Sequence, residues 1–136
     1  MKRRKISVEL PPITEESASR TVRVILPLWL LDALEDQVRR EYGPRGHSRW
    51  VDEAVIQLLT YPGWAELHVA PSDPRPGKAK TFTLSPRGAA ALDEAIRIVR
   101  TNNPWFEGVI SEILRTAIAQ RLLRSGMKLE RPASNS

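Results

Sequence analysis

The chain has no cysteine, which excludes disulfides and thiolate metal sites and fits a reducing cytosol. It has only two histidines, His47 and His68, and neither has partners at metal-ligand spacing, so both are expected to be structural or surface residues. No apolar run approaches the roughly 18 residues of a membrane span, and Arg3-Arg4 is followed by charge instead of an apolar stretch. A soluble, cytoplasmic protein without a membrane partner is expected. The chain also lacks a phosphate-binding glycine loop, a nucleophile elbow and a paired-acid site in a recognisable setting. No enzyme activity and no cofactor are expected.

What is present is enough for one core. Of 136 residues, 41% are apolar, while 27% charged residues and 11 prolines place the ends and the middle connection outside that core. The net charge is +5 and gathers in two places, the Lys2-Arg3-Arg4-Lys5 arm and the half after residue 80. That distribution favours a polyanion partner over an acidic small substrate.

One unit is written twice. The alternating stretch Val22-Arg23-Val24-Ile25-Leu26-Pro27 leads into two helical patterns, and 58 residues later Thr81-Phe82-Thr83-Leu84-Ser85-Pro86 leads into two more. Setting Leu26 on Leu84 puts Leu34 on Leu92 and Val38 on Ile96; with one residue inserted in the second copy, Val55 falls on Leu114. A single unit has too little chain to bury its own apolar face, whereas two can close a core together.

In the first copy Val22, Val24 and Leu26 share one strand face, and Thr21, Arg23 and Ile25 share the other. Pro27 suits a helix start, and Leu30, Leu31, Leu34 and Val38 follow at helical spacing, with Glu35–Arg39 and Asp36–Arg40 pairs on the solvated side. Gly43 and Pro44 end that helix. A second begins near His47-Ser48, with Ser48 as a cap, carries Trp50, Val51, Ala54, Val55, Leu58 and Leu59, and stops at Tyr61-Pro62-Gly63.

In the second copy Phe82 and Leu84 point inward and Thr81 and Thr83 outward. Ser85 caps a helix that Pro86 starts, with Ala89, Leu92, Ala95, Ile96 and Val99 as its stripe. Asn103 and Pro104 then open a last helix through Trp105, Val109, Ile110, Ile113, Leu114, Ile118 and Leu122. The expected domains are a flexible basic arm at 1–19, a first unit at 20–63, a linker at 64–79, a second unit at 80–125 and a disordered tail at 126–136.

This order of strand, helix, turn and helix, in about 45 residues, resembles the ribbon-helix-helix family of DNA-binding proteins. The matching residues are Val22-x-Val24-x-Leu26-Pro27, Leu30-Leu31-x-x-Leu34, the turn from Gly43 to Ser48, and Val51-Asp52-Glu53-Ala54-Val55. In the second copy they are Phe82-x-Leu84-Ser85, Leu92/Ile96 and Ile110-Ser111-Glu112-Ile113-Leu114. Two copies in one chain are similar to the tandem members among conjugation and relaxosome accessory proteins. The resemblance implies a mainly α fold with a short two-stranded antiparallel β-ribbon, in which two ribbon-helix-helix units form a pseudo-dimer.

It also implies sequence-specific binding of double-stranded DNA by the ribbon in the major groove, as a transcriptional repressor or as an accessory factor in the conjugative transfer of a mobile element. Base contacts would come from Thr21, Arg23, Ile25, Thr81 and Thr83, with Ala79 at the margin. Phosphate contacts would come from His47, Ser48 and Arg49 at one second helix, from Trp105 at the other, and from Lys78 and Lys80. The Lys2–Lys5 arm is either a solvated tail or a phosphate or minor-groove contact.

Further copies on adjacent sites, and a relaxase or other DNA-processing protein, are the implied partners. The alternative is an antitoxin-type module that neutralises a protein partner, against which the polar tail offers few apolar anchors. The four tryptophans, Trp29, Trp50, Trp64 and Trp105, are expected to serve packing.

Overall fold

Two strands of the same chain, 50 residues apart in sequence, form the only sheet among the described residues. Strand β1 (Arg20–Pro27) pairs antiparallel with β2 (Gly77–Leu84), with Thr21 opposite Thr83, Arg23 opposite Thr81 and Ile25 opposite Ala79. In this computed structural model the described residues are 18–66, 75–105 and 108–126. The Lys2–Lys5 arm, His68, most of the connection and the C-terminal tail therefore lie outside them.

Strand alternation settles which face is buried. Val22, Val24, Leu26, Phe82 and Leu84 are each at most 5% exposed, whereas Thr21, Arg23, Ile25, Thr81 and Thr83 face outward. A one-residue slip would trade five buried apolar side chains for threonine and arginine, at a cost on the order of 10 kcal/mol. The ribbon's register is thereby fixed.

Helix α1 (Leu28–Tyr42) buries Leu30, Leu31, Leu34 and Val38. Gly43, at φ 83°, closes it by donating its N–H to the carbonyls of Val38 and Arg39, the left-handed exit that glycine tolerates best. The Asp36–Arg40 pair forms at 2.9 Å. Arg39 lies nearest Asp36, at 3.7 Å, and Glu35 is instead 3.9 Å from Lys80 of β2, a partner that only the tertiary fold brings to it.

Helix α2 (His47–Leu58) buries Trp50, Val51, Ala54, Val55 and Leu58. A short 3₁₀ turn, Trp64–Glu66, follows it. Trp64 is 8% exposed and belongs to the common core, so the start of the expected linker is part of the body. Helix α3 (Pro86–Asn102) opens as expected, with the Ser85 Oγ accepting from the Gly88 N–H at 3.1 Å and Pro86 in the first turn.

Helix α4 (Val109–Arg124) departs from the expectation at both its start and its pattern. It begins at Val109, because Gly108 at φ 68° cannot lie within a right-handed helix, and Pro104 and Trp105 sit in a preceding turn. Every residue from Ile113 to Gln120 is buried, including Arg115, Thr116 and Gln120. This helix touches α1, α2, α3 and β1, so its middle, residues 113–120, is enclosed and shows no single apolar stripe.

Arg121, on the same helix, ties it to the first half of the chain. Its guanidinium donates to the Trp50 carbonyl at 2.8 Å and lies 3.2 Å from both Glu41 and Glu53, over the Trp50 ring. Among the described residues no helix is long and apolar enough to cross a membrane.

Candidate nucleic-acid interface

The outer face of the ribbon brings together all five residues expected to read bases. Thr21 and Thr83 are directly opposed, Arg23 faces Thr81, and Ile25, 40% exposed, stands beside Ala79. Neither strand contains an acidic residue, while Arg20, Arg23, Lys78 and Lys80 contribute four positive charges. Of these only Arg23 lies on the outer face; Arg20, Lys78 and Lys80 have the opposite strand parity.

An isolated two-stranded ribbon would fray and leave backbone groups on its two free edges. Here each edge is held by a helix. On the β2 side the Ser48 Oγ accepts from the Thr83 N–H at 2.9 Å, and the Asp52 Oδ1 accepts from the Ser85 N–H at 3.0 Å, both acceptors belonging to α2. On the β1 side Arg115 of α4 donates to the Ile25 carbonyl at 3.1 Å. These contacts fix the ribbon's position over the helices and so hold the exposed side chains in place.

Asp52 also explains a small residue. A Cβ on Gly88 would lie 1.6 Å from the Asp52 Oδ1, so the first turn of α3 can approach α2 only with glycine there.

The expected phosphate-binding residues are placed unevenly. His47, Ser48 and Arg49 form the first turn of α2, where an α-helix leaves amide N–H groups without intrahelical acceptors. Ser48 is not the cap: Gly46 holds that position without a side-chain bond, and the serine hydroxyl is engaged with Thr83. Arg49 lies against the ring of Tyr42, 4.4 Å from its centroid, and 3.3 Å from Glu53.

Burial works to raise the Glu53 pKa. The hydrogen bond from Tyr42 and the guanidiniums of Arg49 and Arg121 outweigh it, and the carboxyl is held below its ordinary value. Lys78 and Lys80 lie within β2, not in a linker, and stand opposite Leu26 and Val24. They share the strand parity of Phe82, so their stems leave the ribbon on the helix side, and Lys80 meets Glu35 there.

Trp105 is not at the start of α4. It stands in the turn ahead of it, 86% exposed, and the first-turn amides of α4 belong to Val109, Ile110 and Ser111 instead. Beside them opens a cleft of about 330 Å³ between Arg20, Arg23 and Arg100. Arg20 is held by Asp93 at 2.8 Å.

The sequence reading missed Arg20, Arg100, Arg115 and Asp52. Arg20 adjoins Thr21 but has the opposite strand parity, and the other three reach the ribbon only through the packing of distant helices. Among the described residues no group of three or more His, Cys, Asp or Glu side chains is placed to hold a metal ion. No protein-family model, curated protein or solved structure matches the chain.

Proposed function

We propose that this protein binds duplex DNA sequence-specifically by laying the β1–β2 ribbon into the major groove. In this reading it is a ribbon-helix-helix pseudo-dimer made of one chain, serving as a transcriptional repressor or as an accessory factor at a mobile element's transfer origin. The observation that carries the proposal is the outer ribbon face. Five side chains with base-reading chemistry stand exposed on two paired strands whose other face buries Val22, Val24, Leu26, Phe82 and Leu84.

The dimensions and the chemistry agree. Paired strands lie about 4.8 Å apart, and the major groove, about 12 Å wide, admits such a ribbon. Arg23 can donate two parallel hydrogen bonds to a guanine edge, the threonine hydroxyls can bond several bases, and Ile25 or a threonine methyl can contact the methyl group of thymine.

The register supports the pseudo-dimer. The 58-residue spacing of the two units maps Arg23 onto Thr81, and these residues stand opposite each other, as one residue and its copy do at the dyad of a ribbon built from identical chains. The crosswise support agrees with it, since α2 of the first unit holds β2 and α4 of the second holds β1.

The same mapping sets Thr21 against Ala79, Arg23 against Thr81 and Ile25 against Thr83. The two half-sites are therefore unequal and the target is not a palindrome.

Binding of the full chain to a selected duplex and to mixed duplexes, followed by fluorescence anisotropy at two salt concentrations, tests the reading. Affinity falls steeply with salt. Arg23→Ala removes about 1–3 kcal/mol of preference for the selected sequence and leaves nonspecific binding largely intact. Absence of salt-dependent duplex binding overturns the proposal, and a selection that returns only perfect palindromes overturns the intrachain ribbon as the reading element.

A further inference from the structure

Trp105 is the one tryptophan among the described residues that the fold leaves outside. Trp50 is fully buried, Trp64 is 8% exposed and Trp29 packs partly against the core, whereas Trp105 is 86% exposed in the turn before α4. A bare indole is the largest apolar surface a side chain can offer, and tryptophan is among the residues that most often dominate binding interfaces.

Its surroundings point to an anionic partner. The helix that follows opens at a cleft lined by Arg20, Arg23 and Arg100, and Trp105 lies in the chain between two residues of that lining, Arg100 and Gly108. The first unit has nothing comparable. Counting back from Leu114 to Val55 places Gly46 where the second unit has Trp105. That glycine is buried, and a Cβ there would lie 2.3 Å from the Cβ of Tyr42. Arg49, at the start of α2, is already stacked on Tyr42 and paired with Glu53.

We infer that Trp105 packs against the DNA beyond the major-groove segment, on the side of α4 only, so that the bound chain covers more duplex on one flank than on the other. The inference rests on the DNA-binding reading and deepens it. With the ribbon in the groove, the start of α4 lies over the bordering phosphates, and the exposed Trp105 ahead of it in the chain reaches the duplex beyond them. There the indole meets deoxyribose and base edges, and Arg100 holds the intervening backbone. This contact is insensitive to groove-edge sequence and gives the complex a polarity.

The test uses the full chain and a selected duplex shortened stepwise from either end. The expected result is that shortening one flank weakens binding by about five- to tenfold, while shortening the other flank by the same length does not. Trp105→Ala loses the same factor on the long duplex and no longer distinguishes the flanks, with an unchanged circular dichroism spectrum. The emission that separates the wild type from Trp105→Phe is shielded from acrylamide in the complex.

Equal dependence on both flanks overturns the inference, as does full affinity of Trp105→Ala or an indole that stays open to acrylamide. If sequence-selective binding persists and responds to Arg23→Ala, such a failure concerns Trp105 alone. Absence of selective duplex binding by the wild type removes the DNA reading itself.

Discussion

Replacing Arg115 by methionine tests whether a buried cation beneath the ribbon holds β1 in place. The guanidinium is 7% exposed at the side chain, donates to the Ile25 carbonyl at 3.1 Å and lies 3.6 Å from Glu112, itself only 16% exposed. Methionine keeps most of the volume, so little cavity is left and the loss is chiefly electrostatic. Leaving this partly buried carbonyl without its charged donor costs about 1–3 kcal/mol.

A net loss of about 1–3 kcal/mol is therefore expected, a large part of the total for a small domain. Urea denaturation of the wild type and Arg115→Met measures it. A loss below about 1 kcal/mol would refute the view that this contact anchors the strand.

Two further outcomes follow from the fold. Gly88→Ala should destabilise by about 1–3 kcal/mol despite the better helix propensity of alanine, because the new Cβ drives Asp52 away from the Ser85 N–H; thermal unfolding measures it, and an unchanged midpoint would contradict the close approach. Glu53 has a folded-state pKa below its unfolded value, so its contribution is fully present above the ordinary value of 4.5 and is lost as pH falls through the lower folded value. Stability measured between pH 6 and pH 3 should therefore decline less steeply in Glu53→Gln than in the wild type, and parallel curves would remove Glu53 as a contributor.

Most of the element order was legible because it rests on local signals. Alternation of Val22, Val24 and Leu26, and of Phe82 and Leu84, marks half-buried strands wherever they pair. Gly43 before Pro44, and Ser85 before Pro86, mark a helix end and a helix start through backbone chemistry that acts within a few residues. The half of β2 that carries Lys78 and Lys80 had no apolar alternation to reveal it, since it is held by pairing with β1 and by the contact with Glu35. The start of α4 was misplaced because Asn103-Pro104 is a good opening on its own; Gly108 carried the competing signal, a left-handed residue that no helix interior accommodates.

What the sequence by itself determined is the sorting of each segment into faces, since a two-residue or 3.6-residue period fixes which side chains can share a side. The threonines, Arg23 and Ile25 were thus assigned to one surface before any coordinates. Only the tertiary structure decided which helices support the ribbon, that the middle of α4 is enclosed, that Trp64 enters the core and that Trp105 is left bare. Those outcomes depend on which distant surfaces meet, and burial is a property of the assembled body that no local period encodes.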